Sequence, residues 1–268
     1  MNDAKKAGLA VVTGASTGIG REIALRLAKR GHDVMLVSRS QGALDELAGE
    51  IRGTHGVAAE VVAVDLSTLD ALPQVLAALD GRPVEVLVNN AGVGLYGEHA
   101  KLEAAALERM LVLNVVTLTT LCQAIGAGMR DRGRGRILNI ASTAAYQPVP
   151  YMAAYGASKS YVLNFSEALA KELEDFGVTV SCVSPGPTDT PFFADMDRAG
   201  IANKHFAKEG RTSAGEVADV ALAALDARVL SKLVGTGNAL LAWSTRLVPR
   251  AMVASMSKDL LRAPAIRG

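Results

Sequence analysis

Only two cysteines occur in the 268 residues, Cys122 and Cys182, far apart and with no metal-ligand or redox spacing between them. That scarcity excludes a disulfide scaffold and fits a reducing compartment with both thiols in the core. Net charge is nearly absent as well. A balance of +1 provides no global field to attract nucleic acid or an anionic membrane, so the expected partner is a small molecule. No signal peptide is expected, since Met1-Asn2-Asp3-Ala4-Lys5-Lys6 leads into only a short apolar run before Thr13-Gly14. The expected location is the cytoplasm. Internal repeats, low-complexity tracts and linkers are missing too, and 268 residues suit one large α/β domain better than two. One stretch lacks charge altogether, Met110 to Met129, which is long enough to cross a membrane. Asn114, Thr117, Thr119, Thr120, Gln123, Gly126 and Gly128 interrupt it, so it reads as a soluble helix buried on most of its surface, and no integral membrane segment is expected.

What the chain does have is alternation. Short β-branched apolar runs at 9–13, 33–37, 58–64, 86–89, 135–140, 178–183 and 230–234 read as strands. Between them, 18–29, 41–52, 69–79, 103–129, 153–175 and 214–227 read as helices from apolar spacing and from Gly or Pro at their margins. That order predicts a single-domain α/β fold with a doubly wound parallel sheet and helices on both faces. The stretch Pro185–Ser213 breaks the pattern with three prolines, three glycines and Phe192, Phe193 and Phe206, and reads as a mobile excursion over a site.

The chemistry is concentrated in a few places. Tyr155 and Lys159 stand four residues apart on a predicted helix, so phenol and ammonium share one face. Making a Tyr useful at neutral pH needs about three units of pKa depression, roughly 4 kcal/mol, and a neighbouring Lys could supply much of it. Thr13-Gly14-Ala15-Ser16-Thr17-Gly18-Ile19-Gly20 links the first strand to the first helix, where glycines and unpaired N–H groups suit a pyrophosphate. At the end of the second strand, where a carboxylate would bind the ribose hydroxyls of NAD, the chain has Ser38 and Arg39. A hydroxyl and a guanidinium suit a 2′-phosphate, which favours NADP(H) over NAD(H); the alternative is an Arg solvated at a strand end. Asp65, followed by Leu66, is a candidate for the adenine amino group or for a helix cap. Asn89-Asn90-Ala91-Gly92 would let a cofactor lie against the backbone while the Asn side chains tie loops together. Asn114, inside the uncharged helix, needs a reason to be there, and a local helix distortion that presents a carbonyl is one.

Taken in order, Thr13–Gly20, Asn89–Gly92, Asn114, Ser142, Tyr155, Lys159 and Pro185-Gly186 resemble the short-chain dehydrogenase/reductase family over roughly residues 7–235. The resemblance implies a seven-stranded sheet with Asn114, Ser142, Tyr155 and Lys159 as a catalytic tetrad. It also implies that Pro185, Gly186 and Thr188 hold the nicotinamide end and that Asn90 and Val115 line the adenosine and ribose region. On this analogy hydride passes between nicotinamide C4 and a carbonyl or secondary alcohol, with Ser142 orienting the oxygen and Tyr155 as general acid or base. Lys159 would depress the Tyr155 pKa, and Asn114 would hold a water that refills the proton. Tyr146, Tyr151, Phe192 and Phe193 near the expected site suggest an apolar substrate, and no metal is implied.

The expectation is therefore an NADPH-dependent carbonyl reductase. A 3-oxoacyl thioester reductase is the alternative enzyme, and a catalytically silent NADP-binding regulatory protein the alternative of another class. The catalytic domain is expected at 1–237, followed by a helical extension at 238–268 that resembles the ketosteroid and 3-oxoacyl-CoA reductase branch. Leu240, Leu241, Trp243, Leu247, Val248, Met252, Met256 and Leu260 are spaced there as an apolar face, broken once by Pro249. Packing on its own domain is the leading reading of that face, ahead of a dimer contact, a substrate lid or a membrane surface. A homodimer or homotetramer is implied by the family.

Overall fold

Leu9–Thr13 (β1) is buried along its whole length because apolar residues point to both faces. The computed structural model describes residues 7–192, 211–245 and 247–262. Ala10 and Val12 face one apolar core, Leu9 and Val11 the other, as the two-residue strand period requires. A strand buried on both sides needs helices on both sides, and the chain supplies them by alternation.

The helix Gly18–Lys29 (α1) leads to Asp33–Ser38 (β2), Gln41–His55 (α2) to Ala59–Ala63 (β3), and Ala71–Leu79 (α3) to Val84–Asn89 (β4). Ala104–Leu111 (α4) and Leu118–Asp131 (α5) precede Gly135–Ile140 (β5), and the long helix Ala153–Leu173 (α6) precedes Val178–Ser184 (β6). Two short strands, Thr188–Asp189 (β7) and Thr212–Ser213 (β8), pair with each other before Ala214–Asp226 (α7) and the edge strand Ser231–Leu233 (β9). The main sheet has seven strands in the order β3-β2-β1-β4-β5-β6-β9, all parallel. The order reverses between β1 and β4, and a crevice opens at their carboxyl ends.

Element ends differ from the sequence reading by a few residues. β4 begins at Val84, and α2 continues to His55, where Gly56 at φ 66° ends it. α3 starts at Ala71 because Thr68 and Ala71 first close tight turns on Asp65 and Thr68. α6 stops at Leu173 and a tighter turn, Glu174–Phe176, finishes it.

The uncharged run is a core helix with a distortion. Between α4 and α5, Val112–Thr117 forms a wider π-helical turn with Asn114 in it. By length and composition Ala104–Asp131 could cross a membrane, but Leu118, Leu121, Cys122 and Met129 are buried in the core on the α5 side of the sheet.

On the opposite face α1 meets α7. Arg26 grips Asp219 through Nε at 2.6 Å and Nη2 at 3.1 Å, and Arg30 reaches Asp226 at 2.9 Å. Nearby, His32 is only 3% exposed. Its Nδ1 lies 3.1 Å from the Gly8 carbonyl and its Nε2 3.4 Å from the Arg136 guanidinium, which suits a neutral ring donating from Nδ1. Burial lowers its pKa, and the charge of Arg136 adds to that against the Gly8 carbonyl. Because the unfolded chain then takes up the proton more readily, His32 contributes stability above about pH 6.5 that is lost as pH falls. Melting temperature should drop on acidification through that window, and His32→Gln should flatten this part of the curve; an unchanged slope would remove His32 as its source.

The C-terminal extension corrects the sequence reading. It forms two helices, Thr236–Ser244 (α8) and Arg250–Leu261 (α9), separated at Pro249. The side turned inward on α9 is Val253, Ser257 and Leu261, whereas Met252, Met256 and Leu260, each one residue earlier, are exposed. A one-residue offset rotates a helix face by about 100°, so the apolar stripe chosen by spacing lies beside the packed face. Leu240, Leu241, Trp243 and Leu247 are exposed as well. The extension touches the domain through Tyr96, whose hydroxyl donates to the Leu261 carbonyl, and through Thr245, which donates to the Tyr146 carbonyl at 3.4 Å.

Candidate active site

The carboxyl ends of β1, β4, β5 and β6 enclose a cleft of ≈ 530 Å³ that runs from Ser38, Arg39 and Ser40 to Tyr155 and Phe192. Its floor is the glycine turn after β1. Gly14 takes φ 65°, and a Cβ on Gly20 would sit 2.3 Å from the Gly14 carbonyl oxygen, so the turn closes onto α1 only without side chains. Thr17 at the N-cap makes no side-chain cap, which leaves the first N–H groups of α1 to be satisfied from the cleft. Asn90 pins the turn from across the crevice, donating from Nδ2 to the carbonyls of Thr13 at 3.1 Å and Gly14 at 3.2 Å. Thr13 completes the tie: its Oγ1 accepts from the backbone N–H groups of Asn90 and Ala91 and donates to the Val88 carbonyl.

At the far end Ser38 is buried and accepts from Ser40 N at 3.3 Å, while Arg39 is exposed at the rim. Asp65 is exposed and accepts from Ser67 through both N and Oγ, at 3.0 and 2.7 Å. Those bonds hold its carboxyl below its ordinary pKa, helped by the charge of Arg39. Asp65 thus closes a turn ahead of α3 and still lines the cleft, as does Leu66.

The opposite end carries the titratable cluster. Tyr155 and Lys159 lie one turn apart on α6 and are both buried. Lys159 Nζ donates to the Ile140 carbonyl at 2.9 Å and sits 6.0 Å from the Tyr155 ring centre. Ser142 follows β5, neighbours the Tyr155 phenol and accepts from Ala144 N at 3.1 Å. Burial pushes the phenol pKa up and Ser142 pulls it part of the way down, while burial pushes the Lys159 ammonium down to about 8. The expected depression of Tyr155 by Lys159 is therefore absent. Burial is the larger cause, and the hydrogen bond of Lys159 goes to Ile140 rather than to the phenol.

Asn114 is anchored through its side chain. Its Oδ1 accepts from Val93 N at 3.0 Å, and its Nδ2 donates to the Val93 carbonyl at 2.9 Å and to Ser158 Oγ at 3.1 Å. The amide is consumed in fixing the loop after β4. The expected distortion is present, since Asn114 is in the π-helical turn.

An elongated anionic ligand fits this arrangement, with phosphates at the uncapped α1 terminus and a reactive end beside Tyr155. Gly92 supports the fit, because a Cβ there would project to within 3.2 Å of both Asn114 Oδ1 and Lys159 Nζ. Residues 8–199 match the short chain dehydrogenase family. The chain belongs to that family.

Among its relatives, the very-long-chain 3-oxoacyl-CoA reductase of Anas platyrhynchos is 38% identical over 181 residues. That match covers 66% of this chain and 58% of the relative's length. A short-chain dehydrogenase from Sphingobium yanoikuyae, solved in complex with NADPH, is similar at 34% identity and TM-score 0.80, covering 90% of this chain and 93% of the other. A 7beta-hydroxysteroid dehydrogenase structure is similar at 26% identity and TM-score 0.85, covering 96% and 99% of the two chains.

For a short-chain dehydrogenase, this chain keeps most of the expected cleft wall: Gly14, Ser16, Thr17, Gly18, Ile19, Ala91, Gly92, Pro185, Gly186 and Thr188 all line it. Thr188, buried, donates to the Gly186 carbonyl at 2.9 Å. Val115 does not line the cleft; Leu113 does. Val115 follows Asn114 in the π-helical turn, and its carbonyl instead accepts from Thr119 Oγ1.

The substrate residues need more correction. Phe192 lines the cleft, but Tyr146 packs against the core on the α5 side of the sheet. Tyr151 stands behind the wall, at φ 65° with its ring 6.0 Å from Tyr96 and its carbonyl accepting from Gly97 N. Phe193 and Phe206 lie outside the described residues, with the rest of 193–210. The wall is completed by Val93, Gly94, Leu95, Tyr96 and Thr190, which the sequence reading missed. The available signal was position in the loops at the carboxyl edge of the sheet, after β4 for residues 93–96 and after β7 for Thr190.

Proposed function

We propose that this short-chain dehydrogenase is an NADPH-dependent carbonyl reductase for an apolar small molecule, able to run in reverse as an alcohol dehydrogenase. The observation that carries the reading is the joining of Ser142, Tyr155 and Lys159 to the glycine turn and Arg39 by one continuous cleft. NADPH would be held by the α1 terminus at its pyrophosphate, by Ser38 and Arg39 at its 2′-phosphate, and by Lys159 and Thr188 at the nicotinamide end. When bound, it supplies the hydride. Ser142 then orients the substrate carbonyl by donating to its oxygen, and Tyr155 gives its proton to the same oxygen as charge develops there. Lys159, charged below about pH 8, stabilises the phenolate left behind.

The NADPH complex of the Sphingobium yanoikuyae relative supports the cofactor assignment. The apolar substrate class rests on Leu95, Tyr96 and Phe192 in the wall beside Tyr155. A second reading, reduction of 3-oxoacyl thioesters, is favoured by the name of the 38%-identical relative. A screen of NADPH consumption over apolar ketones, ketosteroids, sugars and 3-oxoacyl thioesters separates the two. Apolar ketones should be consumed fastest; a preference for thioesters selects the second reading, and failure with every carbonyl sinks both. A homodimer through α5 and α6 belongs to the same proposal, with Val116 and Tyr161 exposed in that region. Sedimentation as a monomer would remove it.

A further inference from the structure

The wall beside Tyr155 contains one close fit that no catalytic role explains. The Phe192 ring lies 5.6 Å from the Tyr155 ring, tilted by 42°, and belongs to a small apolar cluster built on Met110, Met152 and Tyr155. The ring also meets Gly94. A Cβ built on Gly94 would come 2.7 Å from Phe192 Cζ, 3.2 Å from Phe192 Cε2 and 3.2 Å from Met152 Cε. Gly94 is not among the residues with positive φ, so the backbone does not require glycine there. What the position requires is the absence of a methyl group.

We infer that Gly94 is a positioning residue whose missing side chain seats Phe192 over Tyr155, and that this pair limits the size of the carbonyl substituent the enzyme accepts. The inference rests on the carbonyl-reductase reading and adds the element that sets its selectivity. Phe192 is attached by rotatable bonds, whereas Tyr155 is fixed on α6, so crowding at Gly94 is relieved by moving the Phe192 ring. The fold survives such a change because the atom displaced is the far end of a side chain.

Kinetics on a ketone pair and a fluorine spectrum test this together. The pair is a methyl ketone and a ketone with two bulky substituents, compared by kcat/KM with NADPH. Phe192→Ala should raise the bulky-to-methyl ratio about tenfold or more, the scale on which apolar pockets discriminate. Gly94→Ala should move the ratio in the same direction in the wild-type background and by less than about twofold in the Phe192→Ala background, because Gly94 acts through that ring. In protein labelled with fluorophenylalanine, the resonance that disappears in Phe192→Leu is assigned to Phe192. Gly94→Ala should shift it and leave the other four of the five phenylalanines in place. Equal effects of Gly94→Ala in both backgrounds, or an unmoved Phe192 resonance, overturn the inference. If wild-type protein turns over no ketone, the reductase reading fails by itself and the fluorine spectrum alone decides whether Gly94 seats the ring.

Discussion

Tyr155→Phe should lower kcat/KM for NADPH-dependent carbonyl reduction by about 10³-fold, within the range a positioned general acid supplies. The substitution removes one oxygen and keeps the ring, so the contact with Phe192 and the burial in α6 are preserved. NADPH affinity should stay within about twofold, since the glycine turn, Arg39 and Lys159 are untouched. The environment of the phenol sharpens the expectation. Burial raises its pKa, which keeps the proton on oxygen at neutral pH and suits Tyr155 to donating it. Oxidation of the alcohol asks for the phenolate and therefore depends more heavily on the Lys159 charge, which is lost above about pH 8. Stopped-flow measurement of NADPH oxidation, with cofactor affinity measured in parallel by fluorescence, separates chemistry from binding. Turnover within tenfold of wild type would take Tyr155 out of the mechanism.

Arg39→Ala should erase most of a preference for NADPH over NADH. A charge-assisted bond to a phosphate oxygen contributes about 1.5–3 kcal/mol, roughly 10- to 150-fold in affinity. The loss should appear in the NADPH dissociation constant alone. Asp65 enlarges the effect, because Arg39 is one of the charges that hold its carboxyl low. Without the guanidinium, a bound 2′-phosphate would face that carboxylate uncompensated. Titration calorimetry with both cofactors tests the pair of claims, and equal affinities in the unmutated protein would refute the phosphate argument outright.

The sequence made the sheet legible because strands buried on both faces are unbroken apolar runs, and Leu9–Thr13 and Gly135–Ile140 are found where that pattern puts them. The cofactor end was legible for a different reason. Glycines at Gly14 and Gly20 answer a steric demand made by neighbouring backbone, so residue type alone carries the information. The substrate end was not. Tyr146 and Phe192 are both aromatic and both close to the motif in sequence, yet one packs into the core and the other lines the cleft. Only tertiary packing separates them. The same limit applies to α9, where the fully apolar stripe Met252, Met256 and Leu260 is exposed and the adjacent one, with Ser257 at its centre, is inward. The raised Tyr155 pKa was not legible because spacing reveals a nearby charge but not the burial that pushes the phenol up.

The pairing of α1 with α7 bears on how this protein is made. Arg26 and Asp219 are separated by 193 residues of chain, and the core between the two helices joins Ile23 and Leu27 to Val217, Ala221 and Leu222. At about 5–20 residues per second, a ribosome that has finished α1 needs roughly 10–40 s to synthesise the partner that covers it. Through that interval the nucleotide-binding turn is attached to a helix whose apolar flank is open. Cofactor cannot rescue the nascent chain early, because the crevice also needs β4, β5 and β6. This order of synthesis makes the first helix a natural client for chaperones, and it sets a C-terminal boundary: a chain that ends before α7 leaves its oldest segment uncovered.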